Sequence, residues 1–472
     1  MPLQLSSTVL DRNAEFRGIL TRKLMENAGK QAAKLISRKF GKPTKVQIFC
    51  GGGGNGGDGF VVAAELLRKR IPVEVFPLAE IRNTDAQFYF GKLPKNVVRK
   101  FSGETKIDAP LLVDAILGVG ARGKLREPIA TVVKKLKQAR GKIISLDVPT
   151  GDLSPKLTIA FHASKKSPLN PPFTKGGKRG TASRKNSRQT KQGDFYPEVV
   201  VPIGIPQSAE KFFGPGDVWE FFPRRKSDSH KGENGRVVIV GGSREFVGAP
   251  IFTAFGALAA GVDLIDIFVP AVNFSAARKF APNFLVHEFS GETNFLTVES
   301  AREIVKFARA KNATLVVGPG LGRDDRTRAA VKFFAENWRG PLVLDADALD
   351  ENLRKFASQK IVLTPHAGES RRLPKNLNAV ILKKGRVDEI IFGREKRWND
   401  SGSAILTVGG SGDTLAGLVG GLLARGFEPF NAAGVAAFLL GTAGEKIALK
   451  SEGTTPQMLA KKIPEVIQAM LK

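Results

Sequence analysis

The 472-residue sequence predicts an α/β protein of two domains in tandem, each a parallel sheet with helices on both faces. Three observations carry that expectation. Short apolar runs alternate with segments of helical spacing from residue 46 onward. The alternation stops in a Pro- and Gly-rich stretch at 202–223 and restarts at 236, as it would at a domain boundary. Each series also holds a glycine-rich loop that runs straight into a helix, at 51–59 and at 409–412. A chain of this length exceeds one ordinary domain and suits two or three.

Residues 13–40 keep apolar positions at helical spacing, and LMENAGKQAAKLI within them is an amphipathic helix. Residues 46–50 form a short strand, GGGGNGGDG follows at 51–59, and 60–70 returns to helix. Strands are expected at 73–76, 111–115 and 142–147, with a helix at 128–138 between the last two, and 198–202 closes the first series. In the second series the strands are 236–241, 264–269, 314–318, 341–345, 361–365 and 379–384, with helices at 249–260 and 300–311. A strand-like run at 403–408 leads into TVGGSGDTLAG at 407–417, and helices at 413–423, 431–449 and 455–471 end the chain. The implied domain limits are 1–205, a connector at 206–222, and 223–472.

Composition excludes several classes. The single cysteine, Cys50, rules out an internal disulfide framework and points to a reducing compartment. No apolar run is long enough to span a bilayer, and Asp11, Arg12 and Glu15 interrupt the place where a secretory signal would lie, so a soluble cytoplasmic protein is expected. The net charge of +28 raises nucleic-acid binding as a rival class. Much of the excess falls in 156–191, which contains KKSPLNPPFTKGGKRGTASRKNSRQTK. That string lacks periodicity and has only Phe173 as an aromatic, so it reads as a solvated surface loop rather than a base-stacking platform.

The chemistry concentrates at the glycine loops. Gly409, Gly410 and Gly412 let the backbone approach a ligand, and a helix beginning near Asp413 aims its free N–H groups at the same point. A carboxylate beside bound phosphate repels it unless it takes a proton from an attacking hydroxyl. The pattern suggests phosphoryl transfer to an alcohol with Asp413 as base; a glycine turn capped by Asp413 is the alternative. The first loop contains G-x-G-x-x-G after a strand, with Glu74 near the place of a ribose-binding acid. Asn55 and Asp58, in its tightest part, do not fit a plain dinucleotide loop. Asp114, Asp147 and Thr150 stand at later strand ends, which converge on one crevice in an open parallel sheet. Oxygen donors of this kind suit a hard cation, while turn capping is the alternative for Asp114 and Asp147.

These stretches carry a family resemblance. DRNAEF, LMENAG, CGGGGNGGDGF, VDAILGVG, LDVPTG, LTIAFHASK and VPIGIP resemble, in order, the NAD(P)H-hydrate epimerase domain. SHKGENGRVVIVGGS, VVGPGLG, LDADAL, TPHAGE, LKKG and TVGGSGDTLAG resemble the ADP/ATP-dependent NAD(P)H-hydrate dehydratase domain. Together they span nearly the whole chain. The resemblance implies a Rossmann-like three-layer domain followed by a ribokinase-like α/β domain, in a bifunctional enzyme of nicotinamide cofactor repair. The first domain would interconvert the R and S forms of NAD(P)H hydrated at ring carbon C6. The second would return the S hydrate to NAD(P)H at the expense of ADP or ATP, through a phosphorylated intermediate.

By the same resemblance, Gly54, Asn55, Gly56, Gly57 and Asp58 line the first hydrate site together with Gly118, Val119, Gly120, Ala121, Arg122, Gly123 and Lys124. Asn55, Asp114 and Thr150 would bind K+. Asp147 would contact the ring as the first candidate for proton transfer, with Asp58 the second. In the second domain Asp413 would deprotonate the C6 hydroxyl, and Ala249, Gly320 and His366 would hold the hydrate. Lys384, Gly385, Arg386, Val387, Asp388, Gly410 and Gly412 would meet the nucleotide, and Glu369 would belong to a Mg2+ network. His162, His230 and His287 read as structural. The sequence departs from the family in three places. Gly54 stands where relatives carry a second Asn, a low-complexity insertion occupies about 164–193, and the segment 370–382 is short. Two rivals are a ribokinase-like small-molecule kinase with a regulatory first domain and a basic RNA-associated binding protein. The His of TPHAGE, where such kinases commonly carry Asn, counts against the first. Small-molecule substrates are the expected partners, with no membrane and no nucleic acid; a homo-oligomer is compatible.

Overall fold

The computed structural model describes residues 5–121, 123–163, 197–280, 282–291 and 294–472; Arg122 and the basic segment 164–193 lie outside them. The chain divides into two compact units, one of Arg17–Pro206 and one of Met1–Phe16 with Gln207–Lys472. In the first unit the strands are β1 (Val46–Cys50), β2 (Val73–Pro77), β3 (Leu111–Ala115), β4 (Lys142–Leu146), β5 (Leu157–Phe161) and β6 (Glu198–Val201). Among the described residues they form a wholly parallel sheet in the order β2-β1-β3-β4-β5-β6. Every residue of β1, β3 and β5 is buried, as strands covered on both faces require. Strand order reverses between β1 and β3, so the loops leaving their carboxyl ends part and open a crevice. The helix Gly54–Arg68 starts at that crevice. It lies directly on the sheet because a Cβ at Gly59 would come within 2.6 Å of Ala115 Cβ and 2.8 Å of Cys50 Sγ.

The second unit contains β7 (Arg236–Val240), β8 (Leu264–Val269), β9 (Leu285–Glu288), β10 (Thr314–Val317), β11 (Leu342–Leu344), β12 (Ile361–Leu363), β13 (Val380–Lys383), β14 (Asp388–Phe392) and β15 (Glu395–Asn399). Their order among the described residues is β15-β14-β13-β12-β11-β10-β7-β8-β9. The sheet is parallel from β9 to β13, and β14 and β15 continue it antiparallel. Alternate residues feed two cores. Val237 and Ile239 pack with the helices Gly248–Ala259, Ser411–Ala424, Pro429–Ala448 and Pro456–Met470, while Val238 and Val240 pack with Val298–Ala310 and Asp325–Asn337. The helices Gly248–Ala259 and Ser411–Ala424 approach at backbone distance. Added Cβ atoms at Gly256 and Gly417 would lie 2.0 Å from Thr414 O and 1.8 Å from Thr253 O. That contact fixes where the helix at Asp413 begins.

Several expectations differ from the fold. The single helix over 13–40 is two, Ser7–Phe16 and Thr21–Phe40, separated around Gly18 at φ +85°. The first helix belongs to the C-terminal unit: Asn13 Nδ2 donates to Asp217 Oδ2 (2.9 Å) and Ala209 O (3.2 Å), and its Oδ1 accepts from Gly216 N (2.9 Å). Asp217 is fully buried and paired with Arg397 at 2.6 Å. The expected connector 206–222 is accordingly structured, as the helices Gln207–Lys211 and Pro215–Phe221. The expected strand at 403–408 is a 3-10 turn, Ala404–Thr407, entered through Gly402 at φ +127°. Among the described residues no helix is long and apolar enough to cross a membrane.

Candidate active sites

In the first unit the crevice between β1 and β3 gathers most of the expected residues. Asn55 sits in the first turn of the helix Gly54–Arg68 and donates to Leu117 O (2.9 Å) and Leu146 O (3.2 Å), tying together the ends of β3 and β4. Its Oδ1 is buried and has no hydrogen-bond partner among the described residues. Asp147 adopts φ +62°, which a non-glycine residue rarely takes, and its Oδ2 accepts from Val119 N at 3.1 Å. A Cβ at Gly118 would lie 3.0 Å from that oxygen and 3.6 Å from Asn55 Cβ, so Asn55, Gly118 and Asp147 are in contact range. Gly53 and Gly54 face open space, whereas a Cβ at Gly56 would meet Gly51 O at 1.9 Å. Gly120, Gly123 and Lys124 continue the same loop, with Gly123 at φ +93°. The loop starts at a turn in which Ala121 N donates to Gly118 O at 3.1 Å.

Asp114 is wholly buried one strand away. Oδ1 accepts from Thr150 Oγ1 (2.7 Å) and Ile116 N (3.3 Å), and Oδ2 from Ser145 Oγ (2.8 Å) and Thr150 N (2.9 Å). Burial raises its pKa above the ordinary carboxylate value even against those four donors. Thr150 Oγ1 in turn accepts from Leu117 N at 3.2 Å. Asp114 and Thr150 therefore brace the loop ends, and Asn55 Oδ1 is the oxygen of the expected cation set with open acceptor capacity. Burial, then Asp114 and Asp58, push the Cys50 thiol well above its usual range, which places both carboxylates around an inert cysteine. Glu74 lies within β2 and bonds Gln47 Nε2 (2.9 Å) and Lys45 Nζ (3.0 Å); it is a strand-pairing residue, not a ribose acid at a strand end.

In the second unit β7, β10, β11, β12 and β13 are neighbours, and their carboxyl ends present the candidate residues in a row. Gly320, at φ +65° after β10, would place a Cβ 3.1 Å from Ala249 Cβ, at the start of the helix Gly248–Ala259. His366 caps the short helix Ala367–Ser370: its Nδ1 accepts from Gly368 N (2.9 Å), which leaves the ring proton on Nε2. Glu369 returns the contact by accepting from His366 N at 2.9 Å. Lys384 follows β13 and donates to Asp345 Oδ1 at 2.9 Å, and a Cβ at Gly412 would lie 3.5 Å from its Nζ. Gly410 at φ +88° is the N-cap of the helix Ser411–Ala424, so the free amides of that first turn open beside the Lys384 ammonium. Asp388 closes the β13–β14 turn, accepting from Gly385 N and Asn399 Nδ2 at 3.0 Å each. Burial raises its pKa despite those bonds. Gly385, Arg386 and Val387 of the same turn are exposed.

Electrostatics single out Asp413. Burial first, then the Asp345 carboxylate, raise its pKa to about 7 against the pull of Lys384, with Asp347 adding to the rise. Lys384 answers the other way: burial opposes its charge, and Asp345, Glu369 and Asp413 outweigh burial and hold its pKa above the ordinary value. A neutral-range carboxylate beside a fixed cation and a helix N-terminus can take a proton from a hydroxyl while an anion is held next to it. The sequence reading missed Asp345, whose only signal is its place at the end of β11 in LDADAL. It also missed Phe246, half exposed, whose Cβ would lie 2.6 Å from a Cβ at Gly320. Among the described residues no three or more His, Cys, Asp and Glu side chains are grouped to hold a metal ion.

Residues 237–468 match the family model described as NAD(P)H-hydrate dehydratase, and residues 21–166 match YjeF-related protein N-terminus. The chain is 35% identical over 509 residues to the bifunctional NAD(P)H-hydrate repair enzyme of Pyrobaculum aerophilum, covering 98% of this chain and 96% of that protein. It is 36% identical to the enzyme of the same description from Archaeoglobus fulgidus, covering 97% of each. Among solved structures, a hypothetical protein from Streptococcus mutans shares the fold at a TM-score of 0.50 and 21% identity, covering 55% of this chain and 100% of that one.

Proposed function

The chain belongs to the family of bifunctional NAD(P)H-hydrate repair enzymes, and from that premise we propose that its two units repair nicotinamide cofactors whose ring has been hydrated. The C-terminal unit dehydrates the S hydrate with ADP or ATP. The observation that carries this reading is the Asp413 carboxylate, held near pKa 7 at the mouth of a helix N-terminus beside Lys384. Asp413 takes the proton of the C6 hydroxyl, and the hydroxyl oxygen forms a bond to the terminal phosphorus as the bridging P–O bond breaks and AMP or ADP leaves. Lys384 and the amides around Gly412 meet the moving phosphoryl group. The C6–O bond then breaks, inorganic phosphate leaves with the electron pair, and loss of the neighbouring ring proton closes the C5=C6 double bond. Ala249, Gly320 and His366 hold the hydrate, and the Lys384–Asp388 turn with Gly410 meets the nucleotide. Mg2+ would accompany the nucleotide phosphates and neutralise their charge, and Glu369 would be the carboxylate in its surroundings.

The N-terminal unit interconverts the R and S hydrates in the crevice formed by Gly54–Asp58 and the loop after β3. Asp147 is the first carboxylate to move a proton at the ring, supported by its contact range with Asn55 and Gly118, with Asp58 as the second. The orphan Asn55 Oδ1 has the acceptor capacity to hold K+, Asp114 and Thr150 would be its further ligands, and such an ion would supply a fixed positive charge at the crevice.

The test follows one oxygen. Hydrate labelled with oxygen-18 at C6 is turned over with unlabelled ADP or ATP, and the products are weighed. The account expects the label in inorganic phosphate, one per ring restored. Label released into water would mean direct dehydration and would remove the role given to Asp413.

A further inference from the structure

We propose that Asp345 is a positioning residue of the C-terminal site: it holds the Lys384 ammonium against the first turn of the helix Ser411–Ala424 and sets the field in which Asp413 accepts its proton. The inference rests on the dehydratase reading above and names a residue that reading does not use. Asp345 is 1% exposed and is fixed from both sides. Its backbone N donates to Val317 O at 3.1 Å and its carbonyl accepts from Ala348 N at 3.0 Å. Gly318, at φ +128°, exists to admit it, since a Cβ there would lie 1.8 Å from Asp345 O. One carboxylate oxygen, Oδ1, receives both Thr364 Oγ1 at 2.7 Å and Lys384 Nζ at 2.9 Å. Lys384 has its own backbone anchored, with its N donating to Pro365 O at 2.8 Å. Three neighbouring strand ends, those of β11, β12 and β13, are thereby joined through one oxygen.

The geometry decides what this does. A lysine carries a flexible stem, so an ammonium that must meet a phosphoryl group at one point needs a second anchor beyond its own backbone. Asp345 is that anchor, and it leaves Nζ close enough to Gly412 that an added Cβ there would lie 3.5 Å away. The same carboxylate faces Asp413 as a like charge, which opposes ionisation of Asp413, while Lys384 favours it. Asp347 is the third carboxylate around this group; its Oδ2 accepts from Gly322 N at 3.0 Å and its Oδ1 lies 3.3 Å from Arg323 Nε, which partly offsets its charge. Asp345, which pairs with Lys384 and opposes ionisation of Asp413, is the carboxylate whose removal changes both groups together.

The test uses the full chain and the variants Asp345→Asn, Thr364→Val and Asp413→Asn. An infrared titration without hydrate or nucleotide reads the protonated carboxyl band that Asp413→Asn lacks. In Asp345→Asn that band should titrate about one pH unit or more toward acid, and the acid limb of kcat/KM should move with it. Calorimetric titration with ADP and Mg2+ should show affinity reduced roughly tenfold, as expected when a phosphate-facing cation loses its anchor. An unmoved band, or a limb in place with kcat/KM lowered equally at every pH, overturns the proposal and leaves Asp345 a folding residue. If Asp345→Asn does not fold, Thr364→Val removes one of the two donors that fix Oδ1 and should weaken ADP and Mg2+ binding; unchanged affinity there overturns the positioning role. A wild type that turns over no hydrate would sink the dehydratase reading, yet the infrared band would still decide the role of Asp345.

Discussion

Replacing Asp413 by Asn should make the C-terminal unit more stable at neutral and alkaline pH while abolishing dehydration. Burial and the nearby Asp345 and Asp347 carboxylates raise the Asp413 pKa from 3.8 to about 7 against Lys384. Between those values the folded chain holds a proton that the unfolded chain has released. The stabilising contribution of this group is therefore full below pH 3.8, falls as pH rises through the window, and is gone above about 7. At about 1.4 kcal/mol per pH unit the whole window is worth roughly 4 kcal/mol, an upper limit. Asn cannot ionise, but it also removes one anion facing Lys384, so a gain of about 2–4 kcal/mol above pH 7 is expected. Trp219, Trp338 and Trp398 all lie in the C-terminal unit, so urea unfolding followed by tryptophan emission reads that unit alone. The difference between variant and wild type should grow from near zero at about pH 4 to its full size at about pH 8. A difference that is the same at both pH values would refute the linkage, and with it the raised pKa on which the base assignment depends.

Asn55→Ala should leave Leu117 O and Leu146 O without their donor, lowering N-terminal unit stability by about 1–3 kcal/mol in urea unfolding followed by circular dichroism. It should also remove any stimulation of R-to-S exchange by K+, measured by chromatography of the two hydrates. Asp217→Ala should strand the buried Arg397 guanidinium and the Asn13 amide together and cost about 3–5 kcal/mol by tryptophan emission. Gly417→Ala should destabilise the same unit by about 3 kcal/mol or more, because the new methyl would have to displace Thr253 O from 1.8 Å. Its thermal midpoint is the measurement.

Local chemistry pointed to the two candidate sites before the fold was known. Strand, glycine loop and helix follow one another at 46–68 as expected, but the helix Gly54–Arg68 begins six residues earlier than the expected 60, inside the glycine loop, so Asn55 and Asp58 stand in its first turns. Asp413 was readable because a carboxylate at an anion-binding helix terminus demands a reason, and its raised pKa supplies one. What stayed hidden depends on long-range pairing. Asn13 reads as one more polar position of an amphipathic helix, and only the fold brings it to Gly216 and Asp217, some two hundred positions away. Glu74 sat at the right spacing for a ribose acid, but strand register pairs it with Gln47. The run 403–408 is apolar enough for a strand, yet Gly402 at φ +127° turns the chain out of the sheet first. Asp345 went unremarked because its partners, Thr364 and Lys384, come from the ends of two later strands.

The most direct test of the central claim is recovery of the near-ultraviolet absorbance of the dihydronicotinamide ring from a purified mixture of R and S hydrates, supplied with ADP or ATP, Mg2+ and K+. Wild type should restore the full amount, Asp147→Asn should slow after the S fraction is consumed, and Asp413→Asn should restore none. Nucleotide-dependent recovery that survives Asp413→Asn, or no recovery by wild type, would contradict the account.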